Sequence, residues 1–507
     1  MTGRSGWFLP VQKFVWWVAP LLAVCMAGCG GSEYRFPGHK PKPEVTGVTA
    51  VCSPATIQPN QTSQCTGTVV GQGSFNPAVS WSASAGQIST AGLFTAPSLP
   101  TSVTITATSQ WDPTQSGTFT ITVGNSTTSN VAPIVVDAGP APQTFITANV
   151  AFVTVTVCVP GTTTCQNIDH VQVDTGSSGL RLLSSASGGE LGIALPNEPG
   201  SSGNPLLECA LFGSGYTWGN VAQADITVAG EVASAAPVQV IIPSTSSPSV
   251  PTSCSSQTTQ PNMGDSVQAM GANGILGVGL FQQDCGPACT TANRTIPAVY
   301  YVCRSIGCSP TYVTLAQEVT NPVILFATDN NGVLITLPAV PNGGALNPNG
   351  SLIFGIGTQS NNGLGSATVY TVPDSGTNAG DITTTFSGTS YPASFIDSGS
   401  NGIFFLDTGT TGIPQCTPPN DSWYCPTRSP DNLSAVNQGV NGNHGTVNFA
   451  VEDAITLFSG GNTAFSTLAG PMTGSFDWGL TFFFGRNMFT AIENMDTPGG
   501  PGPYYAY

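Results

Sequence analysis

Between Val45 and Val123 apolar and polar positions alternate over short runs, among them AVSWSAS, SVTITATSQW and GTFTITV, separated by Gly, Pro and Ser. Alternation of period two puts successive side chains on opposite faces, so these runs predict half-buried strands of a two-sheet sandwich. Trp81 then belongs to its core, with a polysaccharide-binding role as the alternative. The stretch NSTTSNVAP (Asn125–Pro133) predicts a linker, after which the apolar runs lengthen and larger loops separate them. Ahead of the sandwich, GGSEYRFPGHKPKPE is polar and Pro-rich, as a tether is. Before the tether, Arg4 and Lys13 precede an apolar run, Phe14–Val24, that is too short to span a bilayer, and the first 28 residues hold no acidic residue, as in a secretory signal. With 61 Gly and 41 Pro in 507 residues, almost every potential helix is interrupted, and the chain reads as all-β.

Composition narrows the function. Only 10 residues are Lys or Arg against 26 Asp or Glu, a net charge of −16, and charged residues make up 7% where soluble domains average roughly a quarter. No basic patch can form, which excludes nucleic-acid partners. A hydrophobic fraction of 40% excludes general disorder. Of the 14 cysteines, Cys25 and Cys29 lie at the signal, and an even number remains for an exported chain to pair. Short loops predict 52–65, 158–165 and 416–425; Cys209, Cys254, Cys285, Cys289, Cys303 and Cys308 stay open. A zinc site on Cys285, Cys289, Cys303 and Cys308 lacks the usual C-x2-C spacing and a nearby His. Three histidines exist, His39, His170 and His444; there is no G-x-S-x-G or H-E-x-x-H, so serine hydrolases and zincins are disfavoured. His170 reads as a strand-end or satisfied core residue.

Three segments resemble known families. LLAVCMAGC resembles the lipobox of bacterial lipoproteins, which implies cleavage after residue 28, a lipid on Cys29 and anchoring in the cell envelope at the outer membrane, on its periplasmic or surface face. The alternative is an ordinary cleaved signal. The run WSASAGQISTAGLFTAP resembles bacterial Ig-like modules, giving a tether at 29–44 and an Ig-like domain at 45–124. The third resemblance concerns chemistry. HVQVDTGSSGLRLLSS and PASFIDSGSNGIFFLD align on Asp174 and Asp397 as D-T-G-S-S-G-L-R-L against D-S-G-S-N-G-I-F-F, each between apolar runs. NGILGVGLF follows the first and LTFFFGRNMF the second, each an apolar run ending in Gly. Two such motifs with partner strands resemble the pepsin-like aspartic proteases, as do GSLIFGIGTQSNN and the aromatic end PYYAY. The implied architecture is a bilobal double-ψ β-barrel domain, with lobes at 134–340 and 341–507.

That resemblance implies catalysis by Asp174 and Asp397 on a shared water, because two adjacent carboxyls cannot both ionise and so divide the roles of acid and base. It implies that Gly176 and Gly399 let the two loops meet, that Thr175 and Ser398 bond across the axis, and that Ser177 and Ser400 support the outer carboxylate oxygens. The strand ends at Gly277 and Gly485 are expected to underlie the loops. Asp407, in a second D-T-G-T, is set aside as a turn residue because it lacks the apolar flanks. A flap is expected at Phe212, Gly213 and Tyr216, with Tyr216 or Trp218 able to supply a polar aromatic tip, Arg181 where pepsin has a Trp, and Cys209 able to clamp the flap to Cys254. The implied protein is a monomeric endopeptidase acting on extended polypeptide without metal or organic cofactor. The rival is an inactive surface protein of the same fold that binds peptide or polysaccharide. Scarcity of carboxylate–cation pairs predicts tolerance of pH near 4.

Overall fold

A computed structural model describes residues 42–53, 55–57, 61–97, 101–123, 130–140, 147–200, 203–213, 215–257, 263–290, 298–305 and 307–507. The signal, Cys29 and most of the expected tether lie outside them. The chain divides into two compact units, Met1–Ser126 and Thr127–Tyr507.

In the first unit the alternating runs form two four-stranded sheets. One orders its strands Glu44–Ser53, Thr62–Gln72, Leu93–Thr95 and Gln87–Ile88; the other orders Thr56–Ile57, Ser116–Val123, Thr101–Ser109 and Val79–Ala83. Alternate residues Val103, Ile105 and Ala107 are fully buried; Phe94 from the other sheet packs with Val103 and Ile105, and Val48 and Ala50 with Ala107. Trp81 packs half-buried against this core. Cys52 and Cys65, directly opposite each other in one antiparallel pair, form a disulfide.

The second unit is all-β with barrel-like sheets. Strand Gly215–Val228 pairs with Leu206–Phe212 on one side and Glu231–Ile241 on the other, and its far end also pairs with Phe152–Cys158, which curls the first lobe closed. This sheet continues through Val131–Val135, Asn349–Phe354, Gly332–Thr336, Asn487–Ala491 and Tyr504–Ala506 into the second lobe. Residues 131–133, expected in the linker, are therefore strand: the apolar V-A-x-I-V buries Ala132 and Ile134 and pairs with Asn349–Phe354. A separate seven-stranded sheet completes the second lobe. One apolar cluster runs from Ile134 and Val173 through Ile396 to Trp478 and Phe482, so the bases of both aspartate loops stand on a common core.

The expected disulfides 158–165 and 416–425 form, and the open cysteines pair as 209–254, 285–289 and 303–308. The four thiols considered for zinc are thus all consumed in disulfides.

Candidate active site

Each aspartate is held by the same local device. Strand Cys165–Asp174 runs parallel to Gly274–Val278, with Asp174 opposite Gly277; after the loop, Ser178–Leu183 returns antiparallel on the other side of Gly274–Val278. In the second lobe Thr389–Ile396 runs parallel to Met472–Trp478, and Ile403–Leu406 returns antiparallel along it. The strand that underlies the second loop is thus Met472–Trp478, not the run ending at Gly485. Leu480–Phe483 is a single helical turn. Gly479 fills the place of Gly277: a Cβ there would come within 2.2 Å of the Gly402 carbonyl oxygen. The apolar L-T-F-F-F-G was misleading because it is buried all round as a turn against the core, where burial carries no strand period.

The two loops meet with near-twofold symmetry. The Gly176 N–H donates to Asp174 Oδ1 at 2.8 Å and the Gly399 N–H to Asp397 Oδ1 at 2.7 Å. The Ser177 hydroxyl donates to Asp174 Oδ2, and that of Ser400 to Asp397 Oδ2 at 2.9 Å. Across the axis the Thr175 N–H donates to Ser398 Oγ at 3.1 Å, and the Ser398 N–H to Thr175 Oγ1 at 2.9 Å. Both glycines are required by closeness. A Cβ on Gly176 would sit 2.6 Å from Asp397 Cγ, and one on Gly399 2.5 Å from Asp174 Oδ1. Each carboxyl therefore lies against the other loop's glycine. Two further side chains, invisible to motif reading, pin the second loop: Gln172 Nε2 donates to the Gly399 carbonyl at 2.7 Å and Asn149 Nδ2 to that of Asn401 at 3.0 Å.

Electrostatics act strongly on Asp397. Burial, then the charges of Asp174 and Asp477, raise the Asp397 pKa well above the ordinary carboxylate value, and a hydrogen bond with the Asp174 carboxyl adds to the rise. Asp397 is partly exposed. Asp407 has no part in this: it is exposed, caps the turn Thr408–Thr411 by accepting from the Thr410 N–H at 2.8 Å, and that bonding lowers its pKa. His170 is likewise remote from the pair, held between Asp137 at 3.2 Å and Asp169 at 2.9 Å.

A cleft of about 580 Å³ opens beside the aspartate loops, lined by Thr175, Ser177, Arg181 and Phe212 from the first lobe and by Asp381 and Tyr505 from the second. Phe212 and Gly213 form the expected hairpin tip, with Phe212 paired to Gly215. Tyr216 does not serve as a tip. It is buried against Met263, and Trp218 is fully buried, its indole N–H on the Pro248 carbonyl at 3.1 Å. The 209–254 disulfide lies in the same cluster and ties this hairpin down. An aromatic residue lines the cleft instead at Tyr505, whose phenol is raised in pKa by burial and then by Asp397. It comes from the aromatic end PYYAY, where sequence offered a family likeness but no placement.

Arg181 and Phe212 do meet, with the guanidinium carbon 5.7 Å from the ring centroid. Arg181 is 2% exposed and binds Glu208 Oε1 at 2.6 Å, Asp284 Oδ2 at 3.3 Å and the Ser178 carbonyl at 2.8 Å. Burial works against its charge, but the two acids outweigh it and its pKa rises. Asp284 is raised well above the usual range, by burial first and then by Glu208.

Fold and site together define an all-β, two-lobed protein that brings two buried-edge aspartate loops face to face above a cleft. The chain belongs to the family described as protein of unknown function DUF3443, whose model matches residues 126–507. No curated protein matches it. Among solved structures, the crystal structure of an aspartic proteinase from Irpex lacteus is similar, with a TM-score of 0.43 and 15% identity over 74% of this chain and 96% of that chain.

Proposed function

We propose that this protein is an exported, lipid-anchored aspartic endopeptidase in which Asp174 and Asp397 activate one water. The observation that carries the reading is the reciprocal placement of each carboxyl against the other loop's glycine, with Asp397 driven to hold a proton beside Asp174. In the reaction the Asp174 carboxylate takes a proton from the water as it attacks the scissile carbonyl, and Asp397 donates its proton to the carbonyl oxygen. The inner oxygens are fixed by the N–H groups of Gly176 and Gly399 and the outer ones by Ser177 and Ser400, so neither carboxyl need reorganise as charge moves. An extended peptide fits the cleft between Phe212 and the second lobe by main-chain hydrogen bonding.

The test is cleavage of denatured casein by the purified ectodomain between pH 3 and 7, for the wild type, Asp174→Asn and Asp397→Asn. Cleavage by the wild type alone supports the reading. Folded wild-type protein that cleaves at no pH, or variants that cleave equally well, would leave a peptide- or polysaccharide-binding protein in its place. Anchoring is tested separately: labelled palmitate should enter the full chain in bacteria and not its Cys29→Ala variant.

A further inference from the structure

A third carboxyl stands behind the aspartate pair. Asp477 lies on the strand beneath the second loop, paired with Phe395 on one side and Phe404 on the other. The first-lobe residue in that register is Ile275, paired with Gln172 and Arg181. The twofold match thus breaks at one position, apolar in one lobe and acidic in the other. Asp477 is 5% exposed, its Oδ1 has no hydrogen-bond partner, and no ion pair among the described residues reaches it. The groups that act on its charge are the Ser400 hydroxyl and Asp174, and its own charge acts on Asp397 and on the Tyr505 phenol.

Ser400 is the shared neighbour, and a hydroxyl has one proton to give. That proton goes to Asp397 Oδ2 at 2.9 Å. While it does, the Asp477 carboxyl can bond to Ser400 Oγ only as a donor, which requires Asp477 to be protonated. An ionised Asp477 must instead accept, drawing the Ser400 proton away from Asp397. Ser177 has no such competitor: the register-matched Ile275 offers it nothing.

We propose that Asp477 is a positioning residue for the aspartate pair, acting through Ser400: protonated, it commits the Ser400 hydroxyl to Asp397, and ionised, it withdraws that hydroxyl and makes Asp397 hold its proton more tightly. Burial, and then the charge of Asp174, push Asp477 up to about 7 even though Ser400 lowers it, so the change falls at the alkaline edge of an acidic working range. Both consequences of ionisation, the lost hydrogen bond and the added negative charge, raise the Asp397 pKa. Asp477 thereby keeps the pair singly protonated to higher pH. This deepens the protease reading and rests on it for its effect on rate, but the coupling itself is a property of the folded protein.

The experiment has two readouts. Carboxyl carbon-13 resonances of labelled aspartates, with Asp397 assigned by its loss in Asp397→Asn, report the titration directly; casein cleavage against pH reports the rate. In Asp477→Asn, which can donate to Ser400 at every pH, the Asp397 titration should fall by about one pH unit and the alkaline limb of cleavage should fall with it, while the acid limb stays. On a Ser400→Ala background the same substitution should shift Asp397 by less than half as much. If Asp477→Asn does not fold, Asp477→Ser supplies the comparison. An unmoved Asp397 titration overturns the proposal, and an equal shift with and without Ser400 overturns the route through that hydroxyl. A shifted titration with no cleavage in the wild type sinks the protease reading and leaves the coupling standing.

Discussion

Raising the pH from 4 to 8 should destabilise the Thr127–Tyr507 unit, and Asp477 should account for a measurable part of the loss. Its pKa is about 7 in the folded protein against a usual 3.8. The folded state therefore keeps a proton that the unfolded chain releases. Stability from this group is complete below pH 4 and is lost as the pH rises through about 7. Roughly three pH units at ~1.4 kcal/mol each give about 4 kcal/mol. A unit of this length unfolds with an entropy near 0.8 kcal/mol per kelvin, so the shift in Tm is about 5 °C. Glu231 and Glu318, each at about 7 through burial, and Asp381, at about 6 for the same reason, act in the same direction. Calorimetry at pH 4 and pH 8 should show the wild-type transition falling by more than 5 °C, with Asp477→Asn recovering about that amount. A wild-type Tm that is flat or rises over this interval refutes the reasoning, as does a variant with the same pH dependence as the wild type. Low charge led to an expectation of acid tolerance; the buried carboxyls make it a preference.

Other consequences are equally open to measurement. Gly399→Ala, which drives a Cβ to 2.5 Å from Asp174 Oδ1, should lower casein cleavage at least 100-fold, whereas Gly213→Ala at the hairpin tip, with nothing within 4 Å, should change it less than about twofold. Asp407→Asn should leave cleavage intact, since that side chain caps a surface turn; loss of cleavage would put the chemistry in the wrong motif. Arg181→Met strands Glu208 and Asp284 without a cation and should cost about 3–5 kcal/mol in urea unfolding at pH 7, and less at lower pH, where Asp284, raised by burial and Glu208, more readily takes up a proton. Replacing Cys209 and Cys254 by Ser should lower stability by about 2–4 kcal/mol, read from the same unfolding curves.

The aspartate loops were legible because their chemistry is written locally: an Asp, a hydroxyl residue, a Gly and a Ser between apolar strands at both 174 and 397. The alternating strands of the first unit were legible for the same reason. What failed was long-range. Gly479 was passed over for Gly485 because F-F-F-G looks like a strand end, yet only pairing with Thr389–Ile396 decides which residues underlie the loop. Tyr216 was assigned to the tip by nearness in sequence, but the face it occupies is set by the segment at Met263. Asp477 has no motif at all. A lone acid in S-F-D-W-G-L acquires meaning only from its register beside Phe395 and from Ser400, and the available hint was an acidic residue interrupting an apolar run.

The crossed bonds between Thr175 and Ser398 join residues 223 positions apart. Closing so long a loop is slow, and Tyr505, which lines the cleft, joins later still in chain order. During synthesis the first loop must exist for some time without its counterpart. On the proposed reading each half alone holds one of the two carboxyls, so the emerging chain would cleave neither itself nor its neighbours until the second lobe docks. Under that reading, latency would follow from the order of the chain alone.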